Sequence, residues 1–332
     1  MLEERETRKQ GVLRERFFVA VAAVMATGAF ASTPAYAAGD YPSRPIRLIV
    51  ATPPGGATDI TARLVAQKMG EKLGQTIVVE NRPGGDTMVG TRAVKELPAD
   101  GYTVLAQSLG FLSVPVTKKN PGYSIKDFTG VGIMARSPFL MVVGGDTPYK
   151  SPKDYIADAR AHNITFASGG TASAPHLAAE QFVRSEGLNI LHVPYKGNGE
   201  ALPDVAAGRV GMIFDAYIGS APFIEVGRLR PLAVTSTERI QPLPQVPTFK
   251  ELGFDYSYTV WLGLLVREGT PPAAIEKLSD ALKYALQTEV GTRLKSEGAD
   301  TTFMTPDQFN RYLNDEAAQM NKLAAQLNLP RE

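Results

Sequence analysis

A chain of 332 residues with 35 Lys/Arg against 34 Asp/Glu has a formal charge of +1, and so balanced a surface argues against nucleic acid or an anionic membrane as the partner. The absence of cysteine excludes a disulfide framework, a lipoprotein attachment site and thiol catalysis. His162, His176 and His192 stand at no metal-ligand spacing, so neither a metal nor another cofactor is expected.

The first stretch reads as an export signal. Met1 to Gln10 is charged, Arg14 and Arg16 follow, and Phe17 to Ala31 is an almost unbroken run of apolar and small residues. Ala35-Tyr36-Ala37 then fits an A-x-A cleavage site. The run is short for a membrane span, which needs roughly 20 residues, so a cleaved signal peptide over 1–37 is expected ahead of an uncleaved anchor. Its removal takes away five Lys/Arg and four Asp/Glu and leaves 30 of each on 295 residues, a length for which two domains are expected. An exported, unlipidated protein of this size reads as periplasmic.

The mature chain opens on Leu48-Ile49-Val50-Ala51, an apolar run too short for a helix and therefore a buried parallel strand. Thr52-Pro53-Pro54-Gly55-Gly56-Ala57-Thr58-Asp59 leads from it into a helix. Thr58 or Asp59 is the expected N-cap, Ile60, Leu64, Val65, Met69 and Leu73 share one face, and Gly74 stands at the C-cap. Gly55 and Gly56 thus sit between a strand's carboxyl end and a helix's amino end, where a backbone without Cβ can bring N–H groups and the positive end of the helix dipole to an anion. The stretch lacks Gly-Lys-Ser/Thr and three spaced glycines, so neither a triphosphate loop nor a dinucleotide loop fits. Two adjacent glycines make a nest sized for a carboxylate, with a plain βα turn as the alternative.

A strand at Ile77 to Glu80, the turn Asn81 to Gly85, a helix burying Val89, Ala93, Val94 and Leu97, and a strand at Tyr102 to Gln107 complete a βαβαβ unit. Right-handed crossovers make its sheet parallel, with the turns at 54–59 and 108–111 side by side at the carboxyl edge. Thr129 to Met134 and Phe139 to Val143 are strands that cross into a second unit. There Ser151-Pro152-Lys153-Asp154 starts a helix with N-cap, Pro at N1 and an acid at N3. Strand 165–167, helix 175–186, strand 189–193, helix 200–207, strand 210–214, a short helix near Ala221 and strand 232–235 follow, then a Pro-rich turn region at 241–247. Tyr256 to Leu265, with the single tryptophan Trp261, crosses back. Two helices close the chain, opened by Thr270-Pro271 and by the capping box Thr305-Pro306-Asp307-Gln308. Their apolar faces (Ile275, Leu278, Leu282, Ala285; Phe309, Leu313, Met320, Leu323) need the first unit to cover. The expected architecture is α/β with two lobes, 41–142 joined by 258–332 and 143–257, linked by two crossings around a cleft that can hinge shut.

Tyr41-Pro42-Ser43-Arg44-Pro45-Ile46, Pro53-Pro54-Gly55-Gly56 with Asp59, Glu80-Asn81-Arg82-Pro83-Gly84, Pro98-Ala99-Asp100-Gly101-Tyr102, His192-Val193-Pro194-Tyr195-Lys196-Gly197, Phe214-Asp215 and Leu232-Ala233-Val234-Thr235-Ser236 occur in this order. Together they resemble the Bug family, the TctC-type substrate-binding proteins of tripartite tricarboxylate transporters, from about Tyr41 to the C-terminus. The resemblance implies a type II periplasmic binding protein fold, each lobe a mainly parallel sheet flanked by helices. It implies a monomer that holds a di-, tri- or aromatic carboxylate with bridging water and passes it to a membrane permease. By position it implies ligand contacts from Pro54, Gly55, Gly56 and Asp59, from Ser108, from Ser168, Gly169, Gly170, Thr171 and Ser173, and from Tyr195, Gly197 and Asp215. Departures are Thr171 where asparagine is common, Ser173 where threonine is common, and Ala216 where asparagine often follows the aspartate. Phe111 with Leu112 adds apolar bulk, a hint of a ligand with an apolar or aromatic body.

The residue chemistry agrees. Ser168, Thr171 and Ser173 offer hydroxyls, and the backbone from Gly169 to Ala172 precedes a helix, so a second anion nest faces the first. Hydrogen bonds to a charged group contribute roughly 1.5–3 kcal/mol each and micromolar affinity needs about 8 kcal/mol, so a handful suffices with no arginine. Asp59 would repel a carboxylate and is assigned to capping, loop ordering, orienting water or meeting an ammonium group. His176 reads as a helix-start residue packed between the lobes, and Asp215 as either a ligand contact or a helix cap. A hydrolase built from Ser168 or Ser108 with His176 and Asp215 lacks a Gly-x-Ser-x-Gly elbow. A binding protein that presents its ligand to a membrane sensor kinase is the other alternative.

Overall fold

The computed structural model describes residues 41–326; the expected signal peptide and its Ala35-Tyr36-Ala37 cleavage site lie outside them. β1 (Ile46–Val50) is almost wholly buried because both faces of its sheet are covered, which is why its sequence is apolar without alternation. It pairs in parallel with β2 (Ile77–Asn81) and with β3 (Thr103–Gln107). The crossovers are α1 (Ala57–Leu73), which ends on Gly74 in the left-handed conformation at φ 66°, and α2 (Met88–Glu96). α3 (Gly110–Thr117) follows β3.

β4 (Phe128–Pro138) and β5 (Leu140–Gly144) are separated by Phe139 alone and lie in different sheets. The second sheet continues with α4 (Pro152–Ala161), β6 (Thr165–Ser168), α5 (Ala174–Ser185), β7 (Leu191–Pro194), α6 (Asn198–Ala206), β8 (Met212–Asp215), α7 (Tyr217–Glu225) and β9 (Leu229–Val234). β10 (Thr259–Arg267) returns to the first sheet, before α8 (Pro272–Leu286), α9 (Glu289–Ser296) and α10 (Pro306–Gln326).

The strand orders are β2-β1-β3-β10-β4 and β7-β6-β8-β5-β9. In each sheet one strand opposes the rest: β10 is antiparallel to β3 and β4, and β5 to β8 and β9. Each opposed strand is the one that has just crossed from the other lobe. It enters at the cleft, opposite a neighbour's last residues (Leu140 beside Asp215, Thr259 beside Pro138), and so must run away from the carboxyl ends of the others. That entry point leaves every remaining strand pointing its carboxyl end at the cleft.

Four helical expectations need correction. α1 buries Thr61, Ala62, Val65, Ala66 and Met69, while Ile60, Leu64 and Leu73 stay half-buried. The helix is pressed between β2 and α8, and close approach there favours small side chains. Its N-cap is Gly56, without a side-chain cap from Thr58 or Asp59. In α2 the buried residues are Gly90, Thr91 and Val94, and Val89 is 51% exposed. A Cβ on Gly90 would lie 2.9 Å from Ala51, and the Thr91 hydroxyl accepts from buried Gln107 Nε2 at 2.8 Å, so this face meets the sheet through small and polar groups that apolar spacing does not reveal. Finally, the chain closes on three helices: Thr288 breaks the run, its hydroxyl accepting from Val290 N–H at 3.3 Å, and α9 is the additional one. The capping box at Thr305 is present, with Thr305 N–H donating to Gln308 Oε1 at 2.9 Å.

Trp261 and Phe309 pack edge to face at 5.7 Å in the first lobe. A Cβ on Gly130 or Gly263 would come within 2.6 Å of the Phe309 ring, so two strand glycines make the hole that α10 fills. Phe182, Phe214, Phe249, Phe254 and Tyr256 form the aromatic core of the second lobe.

Candidate functional site

Between the sheets lies a cavity of about 80 Å³ at the carboxyl ends of the strands. Four helices begin on its wall: α1 through Gly56, Ala57 and Thr58, α3 through Ser108 and Gly110, α5 through Ser173, Ala174 and Pro175, and α6 through Gly197, Asn198 and Gly199. The first turn of a helix has N–H groups with no partner inside the helix and a partial positive charge. Among the described residues no lysine or arginine lines the cavity, and the two charged residues that do, Asp86 and Asp215, are acidic. An anion here is therefore served by amides and hydroxyls. Val114, Phe139, Val260 and Leu262 form the apolar wall. Phe111 and Leu112 do not reach it; Phe111 lies against Tyr123 and Phe128 at 5.7 and 5.4 Å in the core of the first lobe, so they give no indication of the ligand's body.

Of the residues read from the sequence, Gly56, Ser108, Gly169, Thr171, Ser173, Gly197 and Asp215 line the cavity. Pro54, Gly55, Asp59, Ser168, Gly170 and Tyr195 do not line it; Pro54 and Gly55 are exposed, and Asp59 and Ser168 are buried. Gly55, at φ 85°, donates its N–H to Asp59 Oδ2 at 3.0 Å, while Asp59 Oδ1 accepts from Arg63 Nε at 3.0 Å and Asn81 Nδ2 at 2.9 Å. Asp59 thus braces the loop, and the Gly55 amide is spent on it. Ser168 Oγ lies 2.6 Å from His192 Nε2 and bonds both the N–H and C=O of Gly170, which shapes the loop from within. The Tyr195 hydroxyl donates to Asp204 at 2.6 Å.

The loops of the two lobes touch across the cavity. A Cβ on Gly197 would lie 2.6 Å from Pro53 Cδ, and one on Gly199 2.9 Å from the Pro54 carbonyl oxygen. Gly197 has φ 176°, extended backbone open to any residue, so glycine stands there for space. Ser113 Oγ donates to the Ala172 carbonyl at 2.5 Å, a bond from the first lobe to the second. Ala172 is held at φ 60°, a conformation costing a non-glycine residue about 1–3 kcal/mol. Ser113 on its C=O and His176 Nδ1 on its N–H, at 3.0 Å, keep it there. The facing loop of the first lobe is also left-handed at Gly84, Gly85, Asp86 (φ 53°) and Thr87 (φ 78°).

Asp215 is 2% exposed. Burial pushes its carboxyl up to about 7, against the downward pull of the Asn198 amide that donates to Oδ1 at 2.6 Å. Its Oδ2 has no partner, and the same is true of Asn198 Oδ1, Thr52 Oγ1 and Thr87 Oγ1, all four on residues of the cavity wall. Native proteins satisfy most buried polar atoms, so these four stand out in the wall as buried atoms without a protein partner. Sequence reading missed Thr52, Thr87 and Asn198; position was the available signal, since Thr52 follows a strand and Asn198 opens a helix directly after Gly197.

His176 and His192 stack with ring centroids 4.1 Å apart, His192 lying 4.9 Å from Phe166. Burial lowers both to about 4, and they are neutral. Because Ala172 N–H donates to Nδ1 of His176, that ring carries its proton on Nε2. The histidine beside Ser168 is His192 and Asp215 is engaged by Asn198, so the Ser168, His176 and Asp215 triad of the hydrolase reading is not assembled.

The sequence pattern of the tripartite tricarboxylate transporter family receptor matches residues 61–329. The chain belongs to this family. Protein BugT of Bordetella pertussis is 33% identical over 84% of this chain and 88% of its own length. A solved R. palustris protein with adipate is 33% identical, covers 88% of this chain and all of its own, and superposes with a TM-score of 0.84. MatC from Rhodopseudomonas palustris with bound malate is 26% identical, with coverage of 85% and 99% and a TM-score of 0.80. The Bug-type kinship and the two-lobed fold implied by the motifs are borne out. Receptors of this family are periplasmic solute-binding proteins.

Proposed function

We propose that this receptor captures a small organic carboxylate between its lobes and delivers it to the membrane permease of a tripartite transporter. The lobe of residues 41–138 with 259–326 closes on that of 140–257, the chain crossing at Phe139 and near Tyr258, so the boundary expected at 142/143 moves to Phe139 because Leu140–Gly144 is a strand of the second sheet. The observation that carries the reading is the convergence of four helix N-termini on one small cavity that no basic side chain lines among the described residues. Such a wall suits a metabolite that must be released again, because amides and hydroxyls hold it without a fixed counter-charge. In this role Gly56, Ser108, Gly169, Thr171, Ser173, Gly197 and Asp215 contact ligand or its bridging waters, and Pro54, Gly55, Asp59, Ser168, Gly170 and Tyr195 shape the loops. The ligand leaves unchanged, and a signal peptide over 1–37 accounts for export.

The test is a thermal-shift and calorimetric screen of the exported chain over di-, tri- and aromatic carboxylates. A true ligand at 100 times its Kd adds about 2.7 kcal/mol to stability, raises the melting temperature and is recovered intact. A screen in which no carboxylate binds overturns the capture reading. Uptake that proceeds undiminished in cells lacking the receptor overturns the delivery reading.

A further inference from the structure

The two crossings between the lobes meet at one side chain. Thr235, the residue after β9 and the threonine of the Leu232 to Ser236 motif, is fully buried and spends its backbone groups and its hydroxyl on the crossing residues. Its N–H donates to the Phe139 carbonyl at 2.8 Å, and its C=O accepts from the Tyr258 N–H at 3.0 Å. Its Oγ1 accepts from the Phe139 N–H at 2.8 Å and donates to the Tyr258 carbonyl at 2.6 Å. The rings of Phe139 and Tyr258 stack at 5.8 Å, and Phe139 also lines the cavity.

The two pairs of bonds lie on opposite sides of the hinge. The Phe139 carbonyl and the Tyr258 N–H belong to peptide groups on the side of the second lobe, whereas the Phe139 N–H and the Tyr258 carbonyl belong to peptide groups on the side of the first. A hinge turns by changing φ and ψ at a few residues. Such a turn at Phe139 and Tyr258 leaves the backbone pair in place and carries the other two peptide groups away from the hydroxyl. Resting on the reading of the two lobes as a hinged pair, and on nothing about the ligand, we propose that the Thr235 hydroxyl is the positioning group that sets the angle between them, holding the lobes where Gly197 approaches Pro53. Valine suits a strand as well as threonine does, but it cannot bridge the two peptide groups and leaves a buried donor and a buried acceptor unpaired.

The chain has no cysteine, so a spin label can be placed on each lobe through Val78→Cys in β2 and Leu191→Cys in β7, both exposed and both on the sheet edges away from the crossings. Pulsed EPR of the exported chain without added ligand is expected to give one narrow distance. Thr235→Val should broaden the distribution and move its mean to longer distance by more than about 2 Å, the scale of a domain rather than a side-chain rearrangement. Thr235→Ser, which keeps the hydroxyl, should restore it. Thr235→Ala, which leaves room for a water between the two peptide groups should the valine variant fold poorly, should shift the distance in the same direction, with the fold of each variant checked by circular dichroism. A distribution unchanged in a folded valine or alanine variant, or a serine variant that behaves like valine, overturns the proposal. None of these outcomes involves a ligand, so the carboxylate reading stands or falls by its own screen.

Discussion

At the scale of single residues, the site separates residues that line the cavity from those that hold the lining loops still. Asp59, Ser168 and His176 belong to the second kind: each has its hydrogen-bonding capacity committed within the loops, to Gly55, to Gly170 and to Ala172. The two stacked histidines also give the loop a defined response to acid. Their pKa is about 4 when folded against 6.5 ordinarily, so below 6.5 the unfolded chain binds protons that the folded one refuses. The stability they confer is complete above about 6.5 and is lost as pH falls through 4, on the order of 3 kcal/mol for His176. Asp215 acts in the opposite sense: raised to about 7, its contribution is present below about 4 and lost as pH rises through 7. Imidazole resonances of His176 and His192 followed by NMR should therefore titrate near pH 4. Titration of either at 6 or above contradicts the packing described here.

At the scale of elements, the opposed strands and the helices that start at the cleft are what make the two lobes a single device. β5 and β10 each carry the chain from one lobe to the other and then form the interior of a sheet, so a movement of the lobes is a bend at Phe139 and near Tyr258 rather than a tear in either core. α10 anchors this arrangement through Phe309, whose ring occupies the space left by Gly130 and Gly263. Phe309→Ala should cost about 3–5 kcal/mol, read as a fall in the urea midpoint at unchanged m-value, with the ranking of ligands by affinity preserved. A loss below about 1 kcal/mol would mean that α10 is not seated as described. The helix N-termini belong to the proposed function instead: Gly56 and Gly197 begin α1 and α6 without any side-chain cap, which leaves their first amides free of one at the cavity wall.

At the scale of the whole molecule, the proposed binding is tied to lobe contact, because Gly197 and Gly199 both line the cavity and meet Pro53 and Pro54 of the opposite lobe. Gly197→Ala tests this. With φ 176° alanine strains nothing in the isolated lobe, yet its methyl would sit 2.6 Å from Pro53. Ligand affinity should fall about 10-fold or more, roughly 1.4 kcal/mol, with the melting temperature of the free protein nearly unchanged; an unaltered Kd would separate binding from lobe contact. Much of this molecule was legible along the chain. Strand and helix alternation, the Gly74 cap, the capping box at Thr305 and the turn glycines all depend on forces acting within a few residues, and the ordered motifs carried the family. What depended on tertiary contact was not legible. That β5 and β10 both run backwards follows from where the chain re-enters each sheet. Whether Gly55 has a free amide depends on Asp59, the histidine beside Ser168 comes from the neighbouring strand, and Thr52 Oγ1, Thr87 Oγ1 and Asn198 Oδ1 stand out because folding buries these atoms without supplying partners. Local backbone physics sets the elements; the satisfaction of buried polar groups, which makes a site, is decided by segments that meet only once the chain has folded.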